Sequence, residues 1–570
     1  MIGLIATTAS GRGAAQRLAL AWPDTRRYEG SAAQSLPRAF AECDAVVCFL
    51  AVGATVRLVA PLLASKHSDP GVVCVDEALR YAVPVAGAHG GGANELARRV
   101  TLVLGGEAVI TTASDAAGCV ALDEFGADLG FAVEPGSDLA AVGAAVLSGE
   151  RVTLTGATGW PLPALPPNVV RAAAPEDGVA AIVVSDDATV TAGGRRVVYR
   201  PPSLVVGLGA SRGVTAAEAG DLIGRALGGA GLSPRSVRQA ATVDLKAGEE
   251  GLLTAVRARN WPLTFYSAAE LAAIPVPNPS ETVRAAVGTP SVAEAAALLA
   301  AQAGPLVVTK QASARATVAV ARVRPRGRLA VVGIGPGARD LITPRAVAEL
   351  RRASVVVGLD QYVDQVADLL RPGTTVLSSG LGREQERAAT AVAQADEGRA
   401  VALVGSGDAG VYAMASPALE QADGTIDVTG VPGVTAALAA AALLGAPLGH
   451  DHAMISLSDL HTPWAAIERR ITAVAQADLV ACFYNPASRE RTWQLGRALS
   501  ILAASRPPDT PVGWVRDASR AAETVSIAAL ADFDPGLADM RTLVIVGSSR
   551  SKVVAGRMVT PREYRWAGTP

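Results

Sequence analysis

The sequence predicts an α/β protein built of several doubly wound domains, and three observations carry that reading. Short apolar runs recur from end to end with no polar alternation, as strands buried on both faces of a parallel sheet require. Ala- and Leu-rich stretches with helical spacing separate them. Small-residue turns follow many of the runs directly, joining strand to helix.

In chain order the strands are read at "DAVVCFLAV" (44–52), "GVVCVD" (71–76), "AIVVSD" (181–186), "SLVVGLG" (203–209) and "PLVVTK" (305–310). They continue at "AVVGIG" (330–335), "SVVVGL" (354–359), "AVALVG" (400–405), "ADLVACFYN" (477–485) and "RTLVIVG" (541–547). A chain of 570 residues exceeds what one core serves. Three Pro- and Gly-rich stretches punctuate it: 156–178, 193–203 and 321–333. The expected division is 1–130, 131–202, 203–326 and 327–570, the last with two lobes.

Half the residues are apolar and the formal net charge is -2. That balance excludes a disordered chain and gives no footprint for nucleic acid. Cys43, Cys48, Cys74, Cys119 and Cys482 form no CxxC pair and read as free thiols in a reducing compartment. The histidines His67, His89, His450, His452 and His461 show no metal-ligand spacing, so no metal site is expected. "MIGLIATTASGRG" reads as a first strand and turn rather than a leader. The uncharged helical run 434–444 would span only ~16 Å, too short for a bilayer. A cytoplasmic protein with no membrane partner is expected.

At residue 333 the run "VVGIGPGARDLITPRAVAEL" (331–350) breaks from strand into a Gly-Pro-Gly turn. Such a turn brings backbone N–H groups to the carboxyl edge of a sheet, where α/β folds bind ligands. It is neither GxGxxG nor a P-loop. "ALVGSGDAGVYAMASP" (402–417), "VTGVPGVTAALAAAALLGAPLGHDHAMISLSDLHTPWAAIERR" (428–470), "ACFYNPASRERTWQL" (481–495) and "GWVRDASRAAETV" (513–525) follow at sensible spacing.

Together these motifs resemble the tetrapyrrole methylases, and within them the precorrin-3B C17-methyltransferases of cobalamin synthesis. The resemblance covers 328–570. It implies two α/β lobes, a homodimer, and S-adenosylmethionine (SAM) held in the cleft between the lobes. By motif match Pro336, Gly407, Asp408, Ala409, Tyr412, Thr435, Ala436, Asn485 and Ala518 would line the cofactor pocket, with Tyr484 beside Asn485 in the same turn. Ala518 stands where the family often has Gly. The substrate implied is a tetrapyrrole, either a precorrin or its cobalt form. Methyl transfer needs orientation more than acid–base help, and orientation can supply roughly 7–11 kcal/mol. Ring contraction on the same branch does move protons, and Asp408, His450, Asp451 and His452 are candidates by residue type. Asp408 equally suits capping of the helix after it. Arg383, Arg489 and Arg491 could bind the acceptor's carboxylates or simply face solvent.

Before residue 327, "VAGAHGGGANELARRV" (85–100), "VITTASDAAG" (109–118), "VGLGASRG" (206–213), "TVDLKAGEEGL" (242–252) and "GTPSVAEAAAL" (288–298) resemble the cobalt-precorrin-5A hydrolases. That implies opening of a ring-A δ-lactone with release of acetaldehyde. Lactone hydrolysis wants a placed water, a base and an oxyanion site. His89 and Glu95 are the candidate bases, and the amides of Gly90–Gly92 the candidate oxyanion site. Lys246, Glu249 and Lys310 could grip carboxylates, though a surface Lys–Glu pair accounts for the first two as well. A front half that only binds the corrinoid, leaving the methyltransferase alone active, is the alternative.

Overall fold

The structure is a computed structural model that describes residues 1–65, 68–88, 90–302 and 304–562. It divides into two compact units. The first holds 1–158, 165–325 and 371–373, and the second 159–164, 326–370 and 374–570. All ten apolar runs form strands.

The first unit contains three sheets. Six strands make the first, in the order Thr25–Tyr28, Ile2–Ala6, Ala45–Phe49, Gly71–Val75, Tyr81–Ala86, Glu107–Ala108, parallel except where Gly71–Val75 meets Tyr81–Ala86. Successive residues of one strand enter opposite cores. Val47 and Val73 join Leu4 on one face, while Val46, Cys48 and Val72 join Ile5 on the other. This is why these strands show no polar alternation. A second sheet gathers strands between Ala132 and Arg200, and a third gathers strands between Leu204 and Arg322. In the third, Ala316–Arg322 runs antiparallel to both of its neighbours.

The second unit is two-lobed. Its first five-stranded sheet is wholly parallel, in the order Thr375–Ser379, Val355–Leu359, Ala400–Gly405, Arg328–Gly333, Asp427–Val431. The chain leaving Gly333 crosses to Val355–Leu359, and the chain leaving Gly405 crosses the opposite way to Asp427–Val431. Strands 328–333 and 400–405 therefore flank a topological switch point, where doubly wound sheets open a crevice. The other large sheet corrects the expectation of parallel strands. His452–Ser456 and Val480–Tyr484 are parallel, but Thr542–Val546, Pro511–Arg516 and Thr524–Ala529 join antiparallel. Burial on both faces gives an apolar run in either orientation, so composition alone does not report strand direction.

Candidate functional site

Three turns at the carboxyl ends of strands 328–333, 400–405 and 427–431 are fastened to one another. Gly335 N–H donates to the Gly407 carbonyl (3.0 Å), and Gly407 N–H returns a bond to the Gly335 carbonyl (2.7 Å). Asp408 joins the third turn: Oδ2 accepts from Gly433 N–H (3.0 Å) while Oδ1 accepts from Gly410 N–H (2.8 Å). Gly433 must be glycine, because a Cβ there would collide with the carbonyl oxygens of Gly407 and Gly333. Gly407 is in the left-handed region (φ +66). Ala409 is buried in the core beneath, and the Asp408 carboxylate is engaged by backbone donors. Asp408 thus acts on the shape of the site, tying two turns.

The second lobe closes over this floor. Thr435 is the N-cap of helix Ala436–Leu444, and its own hydroxyl makes no capping bond. The Tyr484 hydroxyl takes that part, accepting from Ala437 N–H (3.0 Å) and pairing with Thr435 Oγ1 (2.6 Å). Tyr412, at φ +51 and half exposed, lies 5.2 Å from the Tyr484 ring and donates its hydroxyl to the Met454 carbonyl (2.8 Å). Burial raises both phenols above their ordinary pKa, so both hydroxyls keep their protons near neutrality. Asn485 Nδ2 donates to Ser456 Oγ (3.1 Å). Arg520 Nε reaches back to the Pro336 carbonyl (2.9 Å), its side chain lying across Gly337. Asn485 (φ +51), Asp517 (φ +51) and Ser519 (φ +62) are left-handed non-glycine residues, and Ala518 sits between the last two. Strained backbone gathered at strand ends is a mark of functional turns.

Other candidates are not brought here. His452 opens its strand and is exposed, with Nδ1 against the His450 carbonyl (3.2 Å). Among the described residues nothing joins it to Asp408, Thr435 or Tyr484. Exposed His450 lies beside Asp451 at 3.4 Å. Arg491 gives Nη1 to the carbonyls of Leu457 (3.0 Å) and Asn485 (2.6 Å), so it braces the turn instead of reaching for an acceptor. Burial lowers its pKa. Arg489 is exposed, and Arg383 is exposed and pairs with Glu386. Tyr484 and Arg520 supply the contacts that motif reading undervalued. Tyr484 was legible within "CFYN", whereas nothing local marks an arginine that acts 184 residues away.

In the first sheet His89 lies outside the described residues. Glu95 faces solvent on helix Ala93–Leu104, 3.7 Å from Arg98 of the same helix. The first two helical N–H groups, of Ala93 and Asn94, donate to the carbonyls of Gly87 and Ala88, so they are not open donors. The neighbouring Asn94 turns inward. Its Nδ2 donates to Thr112 Oγ1 (3.1 Å) and Asp115 Oδ2 (3.0 Å), and Arg98 Nη2 lies 2.5 Å from Asp115 Oδ1. The two stretches singled out in the sequence thus meet through residues it did not single out.

Further along, Glu249 Oε1 accepts from Gly213 N–H (2.7 Å), which sets a loop. Lys246 is half-buried. Lys310 Nζ donates to the Asn278 carbonyl (2.9 Å). The fully buried Glu294 accepts from Asn278 Nδ2 (2.8 Å) and Lys310 N–H (3.0 Å), knotting three segments. These contacts hold structure.

The family described as tetrapyrrole (corrin/porphyrin) methylases matches residues 328–534. Three cobalamin-synthesis G families match before it: the N-terminal region over 34–115, the central region over 120–201 and the C-terminal region over 204–321. A Salmonella typhimurium protein named "Probable cobalt-factor III C(17)-methyltransferase" is 46% identical over 239 residues, 41% of this chain and 99% of that one. A Sinorhizobium precorrin-3B C(17)-methyltransferase is 39% identical over 252 residues, 42% of this chain and 98% of that one. The cobalamin biosynthesis protein CobIJ of Mycobacterium bovis is 46% identical over 252 residues, covering 49% of its length. The crystal structure of the methyltransferase CobJ shares 40% identity over its whole length and 41% of this chain, with a TM-score of 0.40. With relatives this similar matched almost end to end, the chain belongs to the tetrapyrrole methylases, and it carries a cobalamin-synthesis G region ahead of the methylase.

Proposed function

We propose that this chain is a bifunctional enzyme of cobalamin synthesis. Its second unit methylates C17 of a (cobalt-)precorrin-3 macrocycle with ring contraction. Its first unit opens the ring-A lactone of cobalt-precorrin-5A with release of acetaldehyde. The observation that carries the reading is the fastening of the turns at Gly335, Gly407 and Gly433 under Tyr412 and Tyr484. It lies in the segment whose relatives are named for C17 methylation.

The cofactor is SAM, and the residues present suit it. The floor is main chain without bulk, and the walls are two neutral phenols and a threonine. Pro336, Gly407, Ala409, Tyr412, Thr435, Ala436, Asn485 and Ala518 would hold it. When bound it supplies a sulfonium-activated methyl group. Asp408 keeps the turns in register, and Tyr484 fixes the start of helix 436–444 so that its positive end stays in place. Tyr412 ties the first-lobe loop to the second-lobe strand. Such fixed geometry is what methyl transfer asks of a protein.

The relative named for cobalt-factor III shares more identity than the one named for precorrin-3B, which favours the cobalt series. Cobalt then arrives with the substrate. Among the described residues no helix is long and apolar enough to cross a membrane, and a cytoplasmic homodimer completes the reading. The three boundaries near 130, 203 and 327 are proposed as domain limits, since among the described residues no sheet crosses them.

The test incubates the full chain with labelled SAM and cobalt-factor III, followed by mass and methyl-position analysis of the product. Label at C17 is the expected result. Label at another carbon, or none, refutes the methylase assignment. Acetaldehyde release from cobalt-precorrin-5A tests the first unit separately.

A further inference from the structure

The cluster around Asn94 contains a polar atom that the protein itself does not satisfy. Asn94 is 2% exposed, and its Oδ1 is buried with no hydrogen-bond partner among the described residues. Rotating the amide is no remedy. The nitrogen already serves Thr112 Oγ1 and Asp115 Oδ2, and an oxygen in its place would face a carboxylate. Thr112 Oγ1 also donates to Asp115 Oδ2 (2.6 Å), and Arg98 Nη2 holds Asp115 Oδ1. The amide is locked, with its acceptor left over. A buried acceptor without a donor is costly, so a donor belongs there in the working protein.

Strand Gly71–Val75 and Gly91 touch backbone to backbone, since a Cβ on Gly71 would overlap the Gly91 carbonyl. Helix Ala93–Leu104 and the Thr112–Asp115 turn both follow the carboxyl ends of Tyr81–Ala86 and Glu107–Ala108, a pair parallel to each other and antiparallel to the other four strands.

Resting on the lactone-opening reading of the first unit, we infer that Asn94 is the residue that positions the attacking water, with Asp115 as the positioning residue for Asn94. Asn94 Oδ1 accepts one O–H of the water and turns a lone pair toward the acyl carbon. The water oxygen bonds to that carbon and the acyl–alkoxide bond breaks. One water proton ends on the departing alkoxide oxygen, and the new carboxylic acid releases its proton to solvent. Arg98 neutralises Asp115, so the pair keeps its shape as the ester becomes a carboxylate. No covalent intermediate is needed.

The experiment uses the full chain with cobalt-precorrin-5A, reading acetaldehyde release, with methyl transfer by the same protein as the control for folding. Asn94→Ala is expected to lower kcat at least about 100-fold with KM within threefold and methyl transfer unchanged. Asn94→Asp is expected to recover activity only toward acid pH, where two facing carboxylates share a proton. Asp115→Asn is expected to lose about tenfold or more in kcat, with partial recovery in Asp115→Glu. If Asn94→Ala keeps kcat within threefold, or Asn94→Asp shows the wild-type pH profile, the inference is overturned. If the unaltered chain releases no acetaldehyde while still transferring methyl, the lactone reading itself is wrong and this assignment goes with it.

Discussion

The two strand-edge clusters, one in each unit, are built from opposite materials. At 333–337, 405–410 and 431–436 the floor is main chain, and its side chains tie turns together or cap a helix. At 94–115 the centre is polar side chains, an amide, a hydroxyl, a carboxylate and a guanidinium, with one acceptor left over. The contrast follows the chemistry. Moving a methyl group from an activated donor needs alignment and exclusion of water, which backbone supplies without titrating. Opening an ester needs a water held in one orientation, which takes side-chain acceptors.

The contrast breaks first at Gly433. In Gly433→Ala the new methyl group meets two carbonyl oxygens, and the turns must separate. A loss of about 3 kcal/mol or more and near-complete loss of methyl transfer are expected, read by urea unfolding and by activity. Wild-type stability and rate in that variant would show that the floor tolerates bulk.

The next largest effect is expected from Tyr484→Phe. It leaves Ala437 N–H without its acceptor and Thr435 without its partner, costing about 1–2 kcal/mol. The KM for SAM should rise about tenfold with little change in lactone opening. Equal damage to both reactions would contradict the separation of the two sites.

Alkaline pH gives a third test, on the strand that leads to Tyr484. Burial pushes the Cys482 thiol up to about 12. Between the ordinary thiol pKa, near 9, and 12 the unfolded chain ionises and the folded one does not. The unfolded state then binds fewer protons, so stability falls as pH rises, by about 1.4 kcal/mol per unit from this group. Stability below pH 8 is untouched. Cys482→Ala should flatten part of that slope in denaturant titrations at stepped pH, and an unchanged slope would remove the thiol from the account.

Arg520→Ala is expected to cost about 1 kcal/mol and raise the KM for SAM two- to fivefold, since one bond to the Pro336 carbonyl is lost. A variant with unaltered KM would make the contact incidental. The smallest effect belongs to Glu95→Gln. The side chain faces solvent beside Arg98, an exposed pairing worth under about 1 kcal/mol. Less than about twofold change in acetaldehyde release is expected, and a large loss would return Glu95 to the active centre and displace Asn94.

The ten apolar runs announced themselves because their burial on two faces removes polar alternation, and Leu329/Val331 against Ala330/Val332 shows the two cores that cause it. Strand direction was hidden, since Pro511–Arg516 and Thr542–Val546 are as apolar as parallel strands but run antiparallel. The glycine turns of the methylase cleft were legible, because a backbone that must approach backbone leaves glycine in the text. The contacts of Tyr484 and Arg520 were not, being set by the meeting of distant strands. The hydrolase motifs were visible, while the inward-facing residue among them was not singled out. Glu95 carries the charge expected of a base, but helical phase turns Asn94 inward and Glu95 out.

A binding floor made of peptide groups also tells a protein engineer where freedom lies. On the proposed placement of the cofactor, Gly333, Gly407 and Gly433 read nothing about the acceptor, so a library that freezes them and randomises the surrounding walls is expected to retain the methyl donor while it explores new macrocycles.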